Sequence, residues 1–217
     1  GSTFAGWSGA CSGTGACTVT MTETKSVTAT FTLNSYNLIT ATDGTGSGVV
    51  DLDPAGGSYD HGTVVTATAT ADTGSTFTGW SGACTGAGEC TVTMTEAKSV
   101  TATFGLNQYT IAVVADPATG GNVAGGGIVN HGATALVTAT SSAGYGFVNW
   151  SDSGGVVSAD AEYSFTATAS RTLTATFAVE PITGLSAQNS SPTPLGSATF
   201  FTASIGGGTG VGYAWSF

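Results

Sequence analysis

Charged side chains are scarce in this chain of 217 residues. Only Lys25, Lys98 and Arg171 are basic, against thirteen acidic residues, and the formal net charge at pH 7 is -10. Nucleic-acid binding requires clustered Lys and Arg side chains that displace the counterions of the phosphates. An anionic membrane surface attracts proteins through clusters of the same kind. The composition therefore argues against nucleic acid and against an anionic membrane as partners.

Long apolar runs are also missing, because no stretch approaches the roughly 18–20 apolar residues that a membrane-spanning helix needs. We therefore expect no membrane insertion of this segment. Sustained apolar stripes of helical period are absent too, since Gly interrupts every candidate. What dominates instead is the alternation of Thr with Val, Ala or Phe, together with 34 Gly residues. This pattern is typical of half-buried strands joined by tight turns.

The most informative feature that is present is internal repetition. Residues 1–31 return at 74–104 with 26 of 31 positions identical and no gap, which gives a period of 73 residues. A third, more diverged copy ends in the same way, with GYGFVNWSDSG at 144–154 and SRTLTATF at 170–177. Such self-similarity indicates tandem structural units.

The front halves of the units also correspond, since NSYNLITAT at 34–42 matches NQYTIAVVA at 107–115. The matches predict the C-terminal half of a repeat over 1–33, a complete repeat over 34–105, a complete diverged repeat over 106–178 and a partial domain of another kind over 179–217. Because Gly1 falls in the middle of a unit, we expect the protein to continue upstream, with an export signal in that part.

The alternation predicts which side chains form the small core of each unit. In SVTATF, Val100, Ala102 and Phe104 share one face of a strand. In the VTATAT run the inward residues are Val65, Ala67 and Ala69. The predicted bulky core residues are Trp80 and Phe77, with their counterparts Trp7, Phe4, Trp150 and Phe147.

The four cysteines occur as two local pairs, each in a C-x5-C loop directly before a strand. A domain of about 70 residues buries a small share of its surface and is only marginally stable, so disulfide bonds are expected. We predict the disulfides Cys11–Cys17 and Cys84–Cys90, each contributing about 2.4 kcal/mol in the chain-entropy model. The third unit has no cysteine, so the disulfide is an accessory to the fold.

Paired cysteines indicate an oxidising compartment, so we expect an extracellular or cell-surface location. The alternative is a metal site with four thiolate ligands. Structural zinc sites favour more closely spaced pairs that converge on one ion. Here the two pairs lie in separate repeats, which favours the disulfides.

The order of motifs over residues 1–178 resembles a known family. The motifs are Y-x-L, D-P-x-G-G, HGT-V, F-x-G-W-S-G, C-x5-C-T-V-T-M and V-T-A-T-F, and they are similar to the divergent B-repeat domain first described from internalins. The resemblance implies a compact β fold related to the β-grasp. It also implies a stalk, spacer or adhesion module of large bacterial surface and secreted proteins, without enzymatic activity. The third unit departs from the pattern, with SDSGGVVSADAEYSF in place of the Cys loop.

A second resemblance begins after Glu180. This ending looks like the opening strands of a PKD-type, immunoglobulin-like domain, whose Y-x-W-x-F strand corresponds to Tyr213, Trp215 and Phe217. Such domains also serve as extracellular spacers. The predicted fold class is therefore all-β: tandem small β-grasp-like or β-sandwich-like repeat domains that end in a partial immunoglobulin-like β-sandwich.

Candidates for chemistry are few. His61 and His131 occupy equivalent positions before Gly in two repeats, which indicates a structural turn, and no catalytic constellation is recognisable. Asp51, Asp53 and Asp60 are weak calcium candidates, although Asp beside Pro and Gly is ordinary turn chemistry. We therefore predict no catalytic residue, no metal-binding residue beyond these weak candidates, no cofactor other than a possible calcium ion, and no enzymatic activity.

Two further patterns have alternative interpretations. Trp80 and Tyr59 could stack on a sugar, but a Trp that returns in every unit is more often part of the core. The glycine-rich stretch Gly125 to Gly127 lacks the Lys of a phosphate loop and is interpreted as a hairpin turn.

Two function hypotheses follow from the sequence. The first is a structural segment, acting as a stalk, spacer or fibre- or sheath-forming unit, whose partners are neighbouring repeats or copies of itself. The alternative is an adhesin or carbohydrate-binding module of a secreted protein, whose partners are surface glycans or other cell-surface proteins.

Overall fold

The computed structural model describes residues 1–181 and the backbone of two later strands, Ser186–Asn189 and Phe201–Ser204. Every helix or strand element within these residues is a β-strand, which confirms the all-β prediction. The chain divides into two compact units, Gly1–Asn107 and Gln108–Phe217.

The first unit begins with the predicted half-repeat. Its strands β1 (Ser2–Gly9) and β2 (Val27–Leu33) pair antiparallel, with Ser2 opposite Leu33 and Gly9 opposite Val27. The loop between them holds Cys11 and Cys17. These two strands form a separate two-stranded sheet.

The complete repeat that follows in the same unit contains seven strands in two sheets. The strands are β3 (Ser35–Gly44), β4 (Gly48–Asp53), β5 (Ser58–Asp60), β6 (Val64–Ala71), β7 (Ser75–Gly82), β8 (Cys90–Thr93) and β9 (Lys98–Leu106). One sheet has the order β5-β3-β9-β7 and the other has the order β4-β6-β8. The two sheets share one core, as in a small β-sandwich.

The first and last strands of this repeat are neighbours. Strands β3 and β9 pair in parallel, from Leu38 opposite Lys98 to Gly44 opposite Phe104, while the other pairs of this repeat are antiparallel. The end of this ladder requires glycine, because Gly44 has a φ of +102° and a Cβ there would lie 2.1 Å from the carbonyl oxygen of Phe104.

The predicted inward residues form the core. Val100, Ala102 and Phe104 on β9 and Val65 on β6 are all 0% exposed, and Ala67 is also buried. Because the inward face of each strand alternates with the outward face, these residues pack between the two sheets. The core prediction from the period-two pattern is therefore confirmed for these five residues, while Ala69 is only partly buried against the core.

The second unit contains the diverged repeat, which has eight strands. They are β10 (Gln108–Asp116), β11 (Gly121–Ala124), β12 (Gly127–Asn130), β13 (Thr134–Ser141), β14 (Tyr145–Asp152), β15 (Gly155–Ser158), β16 (Glu162–Thr166) and β17 (Arg171–Val179). The sheets have the orders β12-β10-β17-β14-β15 and β11-β13-β16. The first and last strands of the repeat again pair in parallel, from Ile111 opposite Arg171 to Asp116 opposite Thr176.

Two details of this unit differ from the sequence interpretation or extend it. The stretch Gly125 to Gly127 is not a hairpin turn, because it joins β11 to β12, which belong to different sheets. The segment that replaces the Cys loop forms a hairpin, since β15 pairs antiparallel with β14.

The PKD-like ending is not confirmed. The strands Ser186–Asn189 (β18) and Phe201–Ser204 (β19) pair antiparallel. The residues on which the resemblance depends, Tyr213, Trp215 and Phe217, lie outside the described residues.

Candidate functional site

A hydrogen-bonded tryptophan fixes each disulfide loop. The backbone N–H of Trp80 donates to the carbonyl oxygen of Gly86 at 2.7 Å, and its indole Nε1–H donates to that of Gly88 at 3.2 Å. In the half-repeat, Trp7 makes the same two bonds, at 2.8 Å and 2.9 Å. Trp80 is thus a core residue that also holds the loop in place, whereas Trp7 makes the same two bonds but is only partly buried.

Both predicted disulfides are present. Cys84 and Cys90 have a Cα–Cα distance of 5.5 Å, and Cys11 and Cys17 have one of 5.7 Å. Cys84 follows β7 of the four-stranded sheet, whereas Cys90 begins β8 of the three-stranded sheet. The Cys84–Cys90 bond therefore links the two sheets of the complete repeat at one edge of its core.

The third repeat has no cysteine, and a different contact joins its two sheets. Arg171 on β17 forms an ion pair with Asp152 at the end of β14. The Arg171 guanidinium also lies over the Phe165 ring on β16, 4.7 Å from its centroid. Since β16 belongs to the other sheet, this cation–π contact bridges the sheets. Trp150 keeps its role, because its Nε1–H donates to the carbonyl oxygen of Ala161 at 3.2 Å.

The Asp152 carboxylate is stabilised in its charged form. The backbone N–H of Gly154 donates to Asp152 Oδ1 at 2.8 Å, and this bond together with Arg171 holds the pKa of Asp152 below its ordinary value. Sequence reasoning missed both members of the pair. The available signal was that Arg171 stands 73 residues after Lys98, so a basic residue recurs at the start of the last strand of each complete repeat.

A single asparagine separates the half-repeat from the complete repeat. Asn34 lies between β2 and β3, and its N–H donates to the Gly1 carbonyl oxygen at 2.9 Å. The Thr3 hydroxyl donates to Asn34 Oδ1 at 2.6 Å, and the His61 N–H donates to the Asn34 carbonyl oxygen at 2.7 Å. Hydrogen bonds from the half-repeat and from the complete repeat therefore hold this junction in place.

The same arrangement closes the complete repeat. Asn107 N–H donates to the Gly74 carbonyl oxygen at 2.8 Å, and the Thr76 hydroxyl donates to Asn107 Oδ1 at 2.7 Å. Sequence reasoning missed these residues as well, although Asn34 and Asn107 recur at the 73-residue period.

The two histidines have equivalent structural surroundings. The ring of His61 lies 6.0 Å from that of Tyr36, and the ring of His131 lies 5.9 Å from that of Tyr109. His131 Nδ1 is 3.2 Å from the Tyr109 hydroxyl, whereas the buried Nδ1 of His61 has no hydrogen-bond partner. Each ring packs against the first strand of its repeat, in agreement with a role in the turn.

The three calcium candidates lie on two strands that belong to different sheets. Asp51 is within β4, opposite Thr68, and Asp53 ends β4. Asp60 ends β5 in the other sheet, where its Oδ1 accepts a hydrogen bond of 2.8 Å from Ser35. The described residues hold no group of three or more His, Cys, Asp or Glu side chains that could bind a metal ion. Calcium binding therefore gains no support from the geometry and stays a prediction.

The aromatic pair weighed as a sugar platform belongs to the core. Tyr59 and Trp80 are each 7% exposed, and the Tyr59 hydroxyl donates to the Pro54 carbonyl oxygen at 2.7 Å. Phe77 packs edge-to-face on Trp80, with centroids 5.1 Å apart. These contacts support the core interpretation of both residues.

Two of the grooves on the described surface lie beside features described above. One, of about 230 Å³, lies beside Trp80 and the Cys84–Cys90 loop. Another, of about 490 Å³, is lined by Thr110, Ala112, Asp152, Ser153, Ser170, Arg171 and Thr172. Its charged groups, Asp152 and Arg171, already pair with each other.

The described part of the chain has no helix with the length and apolar character of a membrane span.

Comparison with known families gives a match over most of the chain. The model of the divergent InlB B-repeat domain matches residues 1–35, 37–108 and 109–181. The matched segments start and end within three residues of the repeats derived from the sequence. No curated protein and no solved structure matches the chain.

Proposed function

Because the chain belongs to the divergent InlB B-repeat family, we propose that it is a non-catalytic, extracellular structural segment of a large bacterial surface or secreted protein, in which the repeats serve as tension-bearing spacers. The partners in this proposal are neighbouring repeats or further copies of the chain. The two disulfides support the extracellular location, because such bonds persist in oxidising compartments.

The parallel pairing of first and last strands carries the proposal. A pull on the two ends of the complete repeat acts at the start of β3 and at the end of β9. Since the two strands are parallel, these points lie at opposite ends of their ladder, which runs from Leu38–Lys98 to Gly44–Phe104. The force therefore shears the ladder, and its hydrogen bonds bear the load together.

The diverged repeat has the same geometry, because β10 and β17 pair in parallel from Ile111–Arg171 to Asp116–Thr176. The half-repeat provides the contrast. Its strands are antiparallel, so Ser2 and Leu33 lie opposite each other. A pull applied to these two residues opens the ladder one pair at a time, which requires less force than shear.

Single-molecule force spectroscopy of the whole chain tests the proposal. We expect one resolved force peak for each complete repeat and opening of the half-repeat at lower force. The substitution Ile39→Pro in β3 removes a backbone N–H from the strand. We expect it to lower the unfolding force of the repeat that contains β3 and to leave the unfolding force of the diverged repeat unchanged. Two complete repeats that open at the low force of the half-repeat would contradict a tension-bearing role.

The disulfide supplies an internal control. The Cys84 and Cys90 positions are six residues apart, with Cα atoms 5.5 Å apart. Six extended residues span about 20 Å, so reduction should lengthen the extension of that repeat by about 1.5 nm. The diverged repeat has no cysteine, and its extension should not change on reduction. This difference assigns each peak to its repeat.

A further inference from the structure

The five-stranded sheet of the diverged repeat ends in two uncharged edge strands. Its order is β12-β10-β17-β14-β15, so β12 and β15 each have one neighbour among the described strands. Their sequences are GIVN and GVVS, with no charged residue and no Pro. Natural proteins commonly protect sheet edges with charged side chains, with Pro or with a covering loop, because free edges pair with other chains. These two edges lack the first two kinds of protection.

Each edge strand is held to the core by one side chain and exposes the side chain before it. Val129 of β12 and Val157 of β15 pack against the core of the repeat. Ile128 is 70% exposed and Val156 is 67% exposed. Since Val129 and Val157 face the core, their exposed neighbours lie on the outer face of the sheet. Both edges therefore carry a branched apolar side chain on the same face.

The corresponding edge of the complete repeat is polar and charged. Strand β5 is the counterpart of β12, because both pair with the first strand of their repeat. Ser58 and Asp60 of β5 stand where β12 has Ile128 and Asn130. On this edge the diverged repeat has an exposed apolar side chain in place of a hydroxyl, and an amide in place of a charge.

The opposite edge differs in the same direction. In the complete repeat the disulfide loop runs beside β7, where the Trp80 N–H donates to the Gly86 carbonyl oxygen at 2.7 Å. The loop thus occupies this edge without forming a further strand of the sheet. In the diverged repeat β15 replaces the loop and pairs with β14, so the new strand forms the edge. Both edges of the diverged sheet are therefore more open to pairing than those of the complete repeat.

The two edges are also complementary in direction. Strand β12 is antiparallel to β10, β10 is parallel to β17, β17 is antiparallel to β14, and β14 is antiparallel to β15. Strands β12 and β15 therefore run in opposite directions. If a second copy lies beside the first in the same orientation, β15 of one and β12 of the other are antiparallel neighbours. The sheet then continues with the same face outward, and Ile128 and Val156 share that face.

We propose that the diverged repeat is a self-association site, at which β15 of one copy pairs antiparallel with β12 of a second copy. The contact uses two different surfaces, so it does not close on itself and produces an open row of copies. A symmetric pair of β12 strands would use one edge, whereas both edges of this sheet differ from the protected ones. The inference rests on the proposed function, because it identifies the surface through which further copies of the chain meet.

Each contact in the row is short. Each strand contributes four residues, so a few main-chain hydrogen bonds and the burial of Ile128 and Val156 hold two copies together. A single contact of this size is weak. The row therefore forms at high local concentration, as when many copies are displayed side by side on one surface.

Sedimentation velocity of the purified full chain over a range of concentrations is the first test. We expect the sedimentation coefficient to rise with concentration as rows lengthen. Ile128→Lys and Val156→Lys each place a charge on one edge, at exposed positions where the fold of the single chain tolerates it. Each substitution should raise the concentration needed for association at least about tenfold. A chain that stays monomeric at all concentrations would overturn the proposal.

A mixture of the two variants identifies the pairing. The chain with Ile128→Lys keeps a free β15 edge, and the chain with Val156→Lys keeps a free β12 edge. At concentrations where neither variant associates alone, an equimolar mixture should form dimers and no larger species. A symmetric β12 pair predicts instead that Val156→Lys associates as strongly as the unaltered chain, and this result would contradict the proposal.

Ile39→Lys is the matched control. Ile39 is 64% exposed but lies on β3, an inner strand of its sheet, so the substitution makes the same change of charge away from an edge. We expect association to be unaffected. Equal weakening by Ile39→Lys would assign the association to non-specific apolar contact and would refute the edge pairing. Force spectroscopy records single chains, so the tension-bearing role and self-association can fail independently of each other.

Discussion

The indole nitrogen of Trp80 lies 3.2 Å from the carbonyl oxygen of Gly88, which places a core tryptophan and the disulfide loop in one hydrogen-bonded unit. The loop is thereby held by one covalent bond and by the Trp80 side chain. The half-repeat has the same bond between Trp7 and Gly15, although its Phe31 and Met21 side chains are exposed. The geometry of the loop thus does not depend on an opposing sheet, whereas the burial of these apolar side chains does.

Replacing the tryptophan tests its role in the loop. Trp80→Phe removes the indole N–H and leaves the Gly88 carbonyl without this donor, in addition to a loss of core volume. We expect a loss of about 2 kcal/mol in the free energy of unfolding, measured by urea titration. Hydrogen exchange in the loop around Gly88 should also quicken. Trp7→Phe is the matched control. We expect it to lose less free energy of unfolding, because the half-repeat has less buried surface. An equal loss for the two variants would contradict this account.

Removal of the disulfide should weaken the complete repeat without unfolding it. The double variant Cys84→Ala and Cys90→Ala should lose about 2.4 kcal/mol in the free energy of unfolding, because the closed loop is short. The native circular dichroism spectrum should remain, since the diverged repeat folds with no cysteine. A chain that fails to fold would show that the disulfide is a requirement of this repeat.

Phe31 and Phe104 are matched positions for measuring how much an opposing sheet contributes to the free energy of unfolding. Phe104→Ala should cost about 3–5 kcal/mol, because a fully buried ring leaves a cavity between the sheets. Phe31→Ala, at a site that is 63% exposed, should cost about 1 kcal/mol or less. Both values come from thermal or urea unfolding of the full chain. Similar losses for the two variants would mean that the Phe31 face is covered in solution.

Asp152 predicts a pH dependence confined to the second unit. Its folded-state pKa is lowered by the Gly154 N–H and by Arg171, so its stabilising contribution is present above the ordinary Asp pKa of about 3.9. That contribution is lost as the pH falls through the lowered pKa. We expect Asp152→Asn to reduce the melting temperature at neutral pH, with the two melting curves converging in acid. A constant difference across this range would exclude the charge of Asp152 as the cause.

Local features of the fold could be predicted because they depend on neighbours in the sequence. The alternation in SVTATF places Val100, Ala102 and Phe104 on one face, and burial of all three follows from this period. The pairing of Cys84 with Cys90 follows from a short loop that cannot reach far. Recurrence of Trp80 in each unit also indicated a core position, which its burial confirms.

Features that depend on distant partners could not be predicted in the same way. Nothing local in residues 35–44 indicates that this strand pairs in parallel with 98–106, because the pleat is the same for either direction. The ion pair of Asp152 with Arg171 joins the end of one strand to the start of another, and the third repeat has no close copy for comparison. The prediction of a hairpin turn at Gly125 to Gly127 was wrong for the same reason. A glycine-rich motif does not specify which sheet the next strand joins.

The single-residue connection at Asn34 has a consequence for how a chain of repeats behaves when stretched. The last strand of one repeat continues into the first strand of the next with one residue between them, at Asn34 and again at Asn107. A connection this short holds almost no slack. In the proposed tension-bearing role, displacement at one end would therefore reach the next ladder before a linker extends.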